Sequence, residues 1–139
     1  MNSFFDTSSL VKLYDDSEAG AIALQQFTDS NGIIYLSTLA QVEFASVLSR
    51  KRNRGELSLS ETKALQQRFE ADVNLYGWVE QTPALRQLAI QLIQKHLSLR
   101  TLDAIQLASA LAVQADIQAF FTHDNRLRDA ALAEGLPVR

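Results

Sequence analysis

The 139-residue chain contains no cysteine. This excludes disulfides, thiolate metal ligands and a cysteine nucleophile, and it is typical of a protein from a reducing compartment. Proline and glycine are scarce, with two and five residues, and no linker, repeat or low-complexity segment interrupts the chain. We therefore expect one domain over residues 1–139, and the 47% hydrophobic content is enough to bury a core.

Membrane-spanning and secretory features are also missing. No apolar run approaches the length of a transmembrane helix, and the opening MNSFFDTSSL has no basic segment of the kind that begins a signal peptide. Positive charge is not in excess, since 13 Lys and Arg against 16 Asp and Glu give a net charge of -3. The total charge does not indicate a nucleic-acid partner, although a local basic face can coexist with an acidic pocket. The sequence predicts a cytoplasmic protein with no membrane partner.

Short apolar runs alternate with longer helical patterns along the chain. The runs SFF, GIIYLS, AFFT and LPV predict strands at 3–5, 32–37, 119–122 and 136–138. Helices are predicted over 8–15, 18–29, 38–53, 59–75, 83–96, 102–115 and 125–133. This alternation indicates the α/β class, with a parallel sheet covered by helices.

Two aspartates directly follow predicted strands. Asp6 comes after SFF and Asp124 after AFFTH. Ligands of such sheets bind beyond the carboxyl ends of the strands, so we expect both side chains at the same rim. Each aspartate also begins a good helix-capping sequence, DTSS or DNRL, and capping is therefore the alternative role for either one alone.

Two further acids lie in otherwise apolar helical patterns. Glu43 is four residues after Leu39 and four before Val47, which places it on the apolar side of its helix, unless it reaches water from the margin. Asp103 begins a helix whose apolar residues cover nearly every side. Its alternative role is a favourable interaction with the helix dipole, which contributes about 0.3–1 kcal/mol.

These four carboxylates would repel one another if they met without a counter-charge. Like charges about 4 Å apart repel by about 4 kcal/mol at an effective dielectric of 20. A divalent cation removes that repulsion, and a set of oxygen ligands without cysteine or paired histidines favours Mg²⁺ or Mn²⁺ over zinc. Such ions activate water and stabilise the oxyanions of an in-line displacement at phosphorus.

Four segments in order resemble the PIN-domain ribonucleases, and most closely the VapC-type toxins. They are FFDTSSLVKLY, LAQVEFASVL, LRTLDAIQLASAL and FFTHDNRLRDAALAEGLPV, which together span essentially the whole chain. The resemblance implies a compact three-layer α/β/α sandwich with a short parallel sheet. It also implies Mg²⁺- or Mn²⁺-dependent endoribonuclease activity, a homodimer, and an antitoxin that inserts a peptide into the active-site groove.

The resemblance also assigns residues by position. It implies catalytic and metal-binding roles for the four acids Asp6, Glu43, Asp103 and Asp124, with Asp6 and Asp103 as the first-choice metal ligands. Thr122 matches the hydroxyl residue of a T-x-D motif and is predicted to contact substrate. Gln106 stands where many relatives carry histidine, and an amide can hydrogen-bond but cannot titrate.

Basic residues near the acidic motifs could hold RNA phosphates, although basic residues on helices are more often simply solvated. Among Lys12, Arg100, Arg126 and Arg128 we favour Lys12 and Arg100. The run RKRNR at 50–54 is interpreted as a charged helix end or as an arm for RNA or an acidic partner. His123 precedes Asp124 and is expected on the opposite face of its strand, in a structural role.

The sequence thus predicts a metal-dependent endoribonuclease of a toxin–antitoxin pair, in which water cleaves RNA to 5′-phosphate and 3′-hydroxyl ends. Two alternatives remain open. One is a PIN nuclease of RNA maturation or DNA repair that has no antitoxin. The other is a non-catalytic RNA- or protein-binding domain in which the acids serve only as caps. Metal-dependent cleavage that is lost on substituting any one acid distinguishes the second alternative.

Overall fold

The computed structural model describes residues 1–28 and 32–139, with only the backbone of residues 27 and 28. A parallel sheet has the order β3-β2-β1-β4, formed by β1 Ser3–Phe5, β2 Ile34–Ser37, β3 Gly77–Val79 and β4 Ala119–Phe121. The helices are α1 Thr7–Lys12, α2 Ala21–Thr28, α3 Ala40–Asn53, α4 Leu59–Ala71, α5 Pro83–Lys95, α6 Thr101–Ala112 and α7 Asn125–Ala133. The predicted α/β class with a parallel sheet is confirmed.

The sheet separates two apolar cores, because successive side chains of a strand point to opposite faces. Phe4 of β1 stacks on Phe120 at 5.8 Å between ring centroids, in the core covered by α5, α6 and α7. Phe5 contacts Phe121 at 4.8 Å, in the core formed with α1, α3 and α4. Burial of the central strands on both faces explains their continuous apolar runs. The three-layer sandwich implied by the family resemblance is therefore confirmed.

The strand β3 was not predicted, and the reason lies at Gly77. Glycine weakens a strand pattern, but a Cβ at this position would lie 2.6 Å from the Cδ1 atom of Tyr35 on the neighbouring strand. The close approach of the ring therefore requires glycine. The predicted helix over 59–75 is too long, because α4 ends at Ala71 and a 3₁₀ turn occupies Val73–Leu75.

Several other boundaries differ from the prediction. The strand predicted at 136–138 is wrong, since Val138 forms only an isolated bridge to Phe120. Helix α3 begins two residues later than predicted: its N-cap is Leu39 without a side-chain cap, and the Ser37 hydroxyl oxygen accepts from the Leu39 N–H at 3.3 Å.

The remaining helices lie within or close to their predicted ranges. Helix α7 spans the predicted 125–133, whereas α1 and α6 end three residues early, at Lys12 and Ala112. Residue 29, where the second predicted helix ends, lies outside the described residues. No helix in the described ranges is both long and apolar enough to cross a bilayer.

A buried ion network joins α3 to the loop after α1. The Lys51 Nζ atom lies 2.6 Å from Asp15 Oδ2 and also contacts Glu18, which pairs with Lys12 at 3.3 Å. Burial is the largest single effect and would raise the pKa of Asp15, but the hydrogen bonds from Lys51 and Ser17 and the charge of Lys51 together outweigh it and lower the pKa. Lys51, one basic residue of the RKRNR run, therefore has a structural role in this ion network.

Candidate active site

The four predicted carboxylates line one cavity of about 250 Å³. They come from the segment after β1, from α3, from the first turn of α6 and from the segment after β4. The described residues that line it are Asp6, Thr7, Ser8, Glu43, Val47, Arg50, Leu102, Asp103, Gln106, Asp124 and Leu127. The fold thus brings together acids from four distant parts of the chain.

Asp6 is buried, with 3% of its surface exposed, and is held by three donors. As the N-cap of α1, its Oδ1 atom accepts from the Ser9 N–H at 3.0 Å and from the Ser8 hydroxyl at 2.7 Å. Its Oδ2 atom accepts from the Thr122 hydroxyl at 2.5 Å. Burial raises the pKa of Asp6 to about 6 against the opposing effect of these hydrogen bonds, and the charge of Asp124 adds to the rise. The ionised side chain is therefore rigidly placed but disfavoured in the metal-free protein.

Glu43 receives both of its hydrogen bonds on one oxygen. Its Oε1 atom accepts from Gln106 Nε2 at 2.8 Å and from the Thr7 hydroxyl at 3.1 Å. Gln106 is itself buried and also donates to the Thr7 hydroxyl oxygen at 3.2 Å. These linked hydrogen bonds hold the Glu43 carboxylate in one position. Burial raises the pKa of Glu43 despite these two donors, and the Asp103 charge raises it further.

In Asp103 and Asp124, as in Glu43, the hydrogen bonds seen in the described residues all reach one of the two carboxylate oxygens. Asp103 Oδ2 accepts from the Arg100 N–H at 3.3 Å, and Asp124 Oδ1 accepts from the backbone N–H groups of Arg126 and Leu127 at 2.9 and 3.1 Å. Within the described ranges, no group hydrogen-bonds the other oxygen of either aspartate, or Oε2 of Glu43. Helix capping and ligand binding are therefore compatible in Asp103 and Asp124. One carboxylate oxygen accepts from the backbone at the helix start, and the other is available to a ligand.

The donor set of the cavity fits a hard divalent cation. All four acids offer oxygen. Burial together with mutual repulsion raises the pKa of Asp6, Glu43 and Asp103, and a bound cation would relieve the repulsion. No three Asp, Glu or His side chains among the described residues are grouped closely enough to hold one ion jointly. The arrangement therefore fits a hard cation that is bound by one or two carboxylates and keeps several waters.

Three residues predicted to bind substrate lie outside the lining of this cavity. Thr122 is buried and bridges two acids, because its hydroxyl donates to Asp6 and accepts from the Asp124 N–H at 3.0 Å. Lys12 is also buried, and its amino group donates to the Ala19 carbonyl at 2.7 Å and pairs with Glu18. These contacts place Thr122 between two acids and hold Lys12 against the loop after α1, and a substrate contact of either residue stays a prediction.

Arg100, the third of these residues, is exposed beside the cavity. It contacts Asp103 through its backbone N–H, and its charge lowers the Asp103 pKa against the larger effect of burial. His123 likewise stays out of the lining: its Nδ1 atom lies 2.8 Å from the Ser9 hydroxyl oxygen, and its N–H donates to Ser8 at 3.0 Å. This contact matches the structural role expected for the histidine.

One cavity residue that the sequence analysis did not single out is Arg50. It was read only as part of the basic run 50–54, yet it lines the cavity together with Glu43 and Val47 of the same helix. The three positions are spaced by four and three residues, so they share one helix face. That spacing from Glu43 is the signal that could have identified Arg50.

Comparisons with known proteins agree with this geometry. A family model described as PIN domain matches residues 3–132. Ribonuclease VapC45 of Mycobacterium tuberculosis is 32% identical over 135 residues, which cover 97% of this chain and 92% of the relative.

Two solved structures share the fold. One is the crystal structure of Mycobacterium tuberculosis VapC20, described as a sarcin-ricin loop cleaving toxin. Its TM-score to this chain is 0.71 at 18% sequence identity, and the match covers 99% of this chain and 98% of that one. The other is a toxin–antitoxin complex from Klebsiella pneumoniae, with a TM-score of 0.63, 18% identity and coverage of 99% and 95%. With a family model that spans nearly the whole chain and a relative above 30% identity, this chain belongs to the PIN domain family and is a relative of the VapC ribonucleases.

Proposed function

We propose that this protein is the endoribonuclease toxin of a toxin–antitoxin pair, which hydrolyses phosphodiester bonds of RNA with Mg²⁺ or Mn²⁺. One observation carries the proposal: four carboxylates from separate segments line a single cavity, and three of them keep one oxygen without a hydrogen bond in the described part of the chain. Kinship with VapC ribonucleases supports RNA as the substrate. Likeness to a toxin–antitoxin complex supports a protein antitoxin as partner.

The proposed roles follow from how each acid is held. Asp6 and Asp103 would hold the cation, which when bound supplies positive charge for the oxyanions of an in-line displacement at phosphorus. Asp6 suits this role because three donors fix it at the end of β1. Glu43 accepts the proton of the attacking water at Oε2, the oxygen that Gln106 and Thr7 leave unbonded. The water oxygen bonds to phosphorus as the P–O3′ bond breaks, and the departing 3′ oxygen takes a proton from solvent, which gives 5′-phosphate and 3′-hydroxyl ends.

The rest of the assembly is proposed on the family resemblance. The chain would act as a single PIN domain over residues 1–139, form a homodimer, and be inhibited by an antitoxin peptide in the groove that contains the acid cavity. A small upstream gene that encodes a DNA-binding partner would support this arrangement. A chain that cleaves RNA but has no such neighbour would instead belong to RNA maturation or repair.

The proposed activity is tested by incubating purified protein with cellular RNA in Mn²⁺ and in EDTA, and sequencing the new 5′ ends. We expect a few dominant cuts in structured RNA, seen only with metal and lost when any one of the four acids is replaced by its amide. Cleavage that persists in EDTA would refute the role of the acids. Even degradation of all transcripts would refute a specific toxin.

A further inference from the structure

The acid cavity contains a single cationic side chain among the described residues that line it, that of Arg50. The other ten lining residues are acidic, polar or apolar. RNA is a polyanion, so a strand that approaches four carboxylates is repelled unless positive charge stands beside them. Among the described residues that line the cavity, Arg50 alone can supply that charge.

The side chain of Arg50 turns back toward the acids. Its Nη1 atom donates to the Ser46 hydroxyl at 2.8 Å, and Ser46 lies one helical turn nearer the start of α3. Seven residues separate Arg50 from Glu43, about 10.5 Å along a helix axis, and the backward turn of the side chain shortens this distance. The positive charge of Arg50 also lowers the pKa of Glu43, although burial of Glu43 has the larger and opposite effect.

The guanidinium of Arg50 has no ion-pair partner within the described ranges. Of the neighbouring cations, Lys51 is buried between Asp15 and Glu18, Arg54 pairs with Glu56 at 3.0 Å, and Arg52 does not line the cavity. In the described part of the chain, the guanidinium of Arg50 makes one hydrogen bond, to a neutral hydroxyl, which leaves most of its five N–H donors for a ligand. A planar fork of N–H groups matches two oxygens of one phosphate.

We propose that Arg50 is a substrate-positioning residue that binds a phosphate of the RNA strand next to the cleaved bond. This inference rests on the proposed ribonuclease function. It replaces the predicted phosphate contact of Lys12, whose amino group is already used by Glu18 and the Ala19 carbonyl. Arg50 holds the strand so that the cleaved phosphodiester lies over the four carboxylates, and it takes no part in proton transfer.

The variants Arg50→Ala and Arg50→Lys test this role, with Arg52→Ala as the matched control. Arg52 is exposed in the same last turn of α3 but does not line the cavity. Binding of a fluorescein-labelled single-stranded RNA oligonucleotide is measured by anisotropy in EDTA between about 50 and 200 mM salt. The salt slope is informative because a purely structural residue does not change the number of phosphates contacted.

Arg50→Ala is expected to reduce the salt slope by about 0.7, the value for one lost phosphate contact on a single strand, whereas Arg52→Ala keeps the parental slope. In Mn²⁺, Arg50→Ala should raise KM about tenfold and change kcat by less than about twofold. Arg50→Lys should keep the slope but recover only part of KM, because an ammonium cannot form the bidentate contact.

Equal loss of slope in Arg50→Ala and Arg52→Ala would overturn the proposal and indicate a diffuse basic helix end. A loss in kcat alone would also overturn it, since a positioning contact acts on binding. A parent protein that neither binds nor cleaves RNA would refute the proposed function, and this inference with it. The two failures are therefore distinguishable in one set of measurements.

Discussion

Replacing Asp6 by asparagine should remove the pH dependence that this side chain imposes on the stability of the metal-free fold. Its pKa rises from 3.8 to about 6 on folding, chiefly through burial. At 1.36 kcal/mol per pKa unit, the rise corresponds to ~3 kcal/mol. The folded protein binds this proton more tightly than the unfolded chain, so the stability from protonated Asp6 is present below pH 3.8 and is lost as the pH rises through about 6.

Asparagine removes the buried charge but keeps most of the hydrogen bonds. Its Oδ1 atom can still accept from Ser8 and Ser9, whereas the Thr122 hydroxyl loses its acceptor, at a cost of about 1 kcal/mol. We therefore expect Asp6→Asn to be about 2 kcal/mol more stable than the parent at about pH 8, and about 0.5 kcal/mol less stable at about pH 4.

Urea unfolding in EDTA at the two pH values measures these differences directly. Asp129→Asn, which removes an exposed carboxylate on α7, is the control and should follow the parent at both pH values. If Asp6→Asn changed stability equally at both pH values, ionisation of Asp6 would not be the source of strain. If it were less stable at both, capping of α1 would be the dominant role of Asp6.

Four further predictions concern the remaining parts of the site and its support. Asp103→Asn should abolish RNA cleavage in Mn²⁺ while the metal-free protein stays at least as stable as the parent in denaturant melts; a fully active variant would refute the site. Gln106→Leu removes a donor from Glu43, so the Glu43 pKa should rise further and the acid limb of the pH–rate profile should move to higher pH. Lys51→Met should lower the free energy of unfolding by about 3 kcal/mol because it leaves Asp15 buried without its cation, with kcat near the parental value. Millimolar Mg²⁺ or Mn²⁺ should raise Tm, since a hundredfold excess over Kd adds about 2.7 kcal/mol; stabilisation by zinc alone would contradict the oxygen-ligand argument.

The parts of the fold that could be predicted are those whose pattern repeats over several residues. The fully buried strand around Phe4 and the apolar α6 leave strong local signals, and both lie close to their predicted ranges. The strand at Gly77–Val79 could not be predicted, because it is three residues long and begins with a glycine. That glycine is required because the ring of Tyr35, on the neighbouring strand, leaves no room for a Cβ atom. Such a requirement exists only after the sheet has formed.

The candidate site shows the same limit on prediction. The acids could be located because each is an unusual charge in an apolar pattern or at a strand end. The direction of a long cationic side chain could not be predicted, because it depends on which acid lies within reach. Lys12 and Lys51 are drawn to Glu18, while Arg50, without an ion-pair partner in the described part of the chain, turns to the cavity.

The pairing of β1 with β4 also fixes when during synthesis the cavity can exist. Thr122, which donates to Asp6, is made 116 residues after it, and the Asp6 N–H bonds the Phe121 carbonyl at 3.1 Å. A nascent chain that already displays Asp6, Glu43 and Asp103 therefore lacks both the strand that orients the first acid and the fourth acid itself. During synthesis, the acid cavity of the proposed nuclease therefore cannot assemble until β4 and Asp124 have left the ribosome.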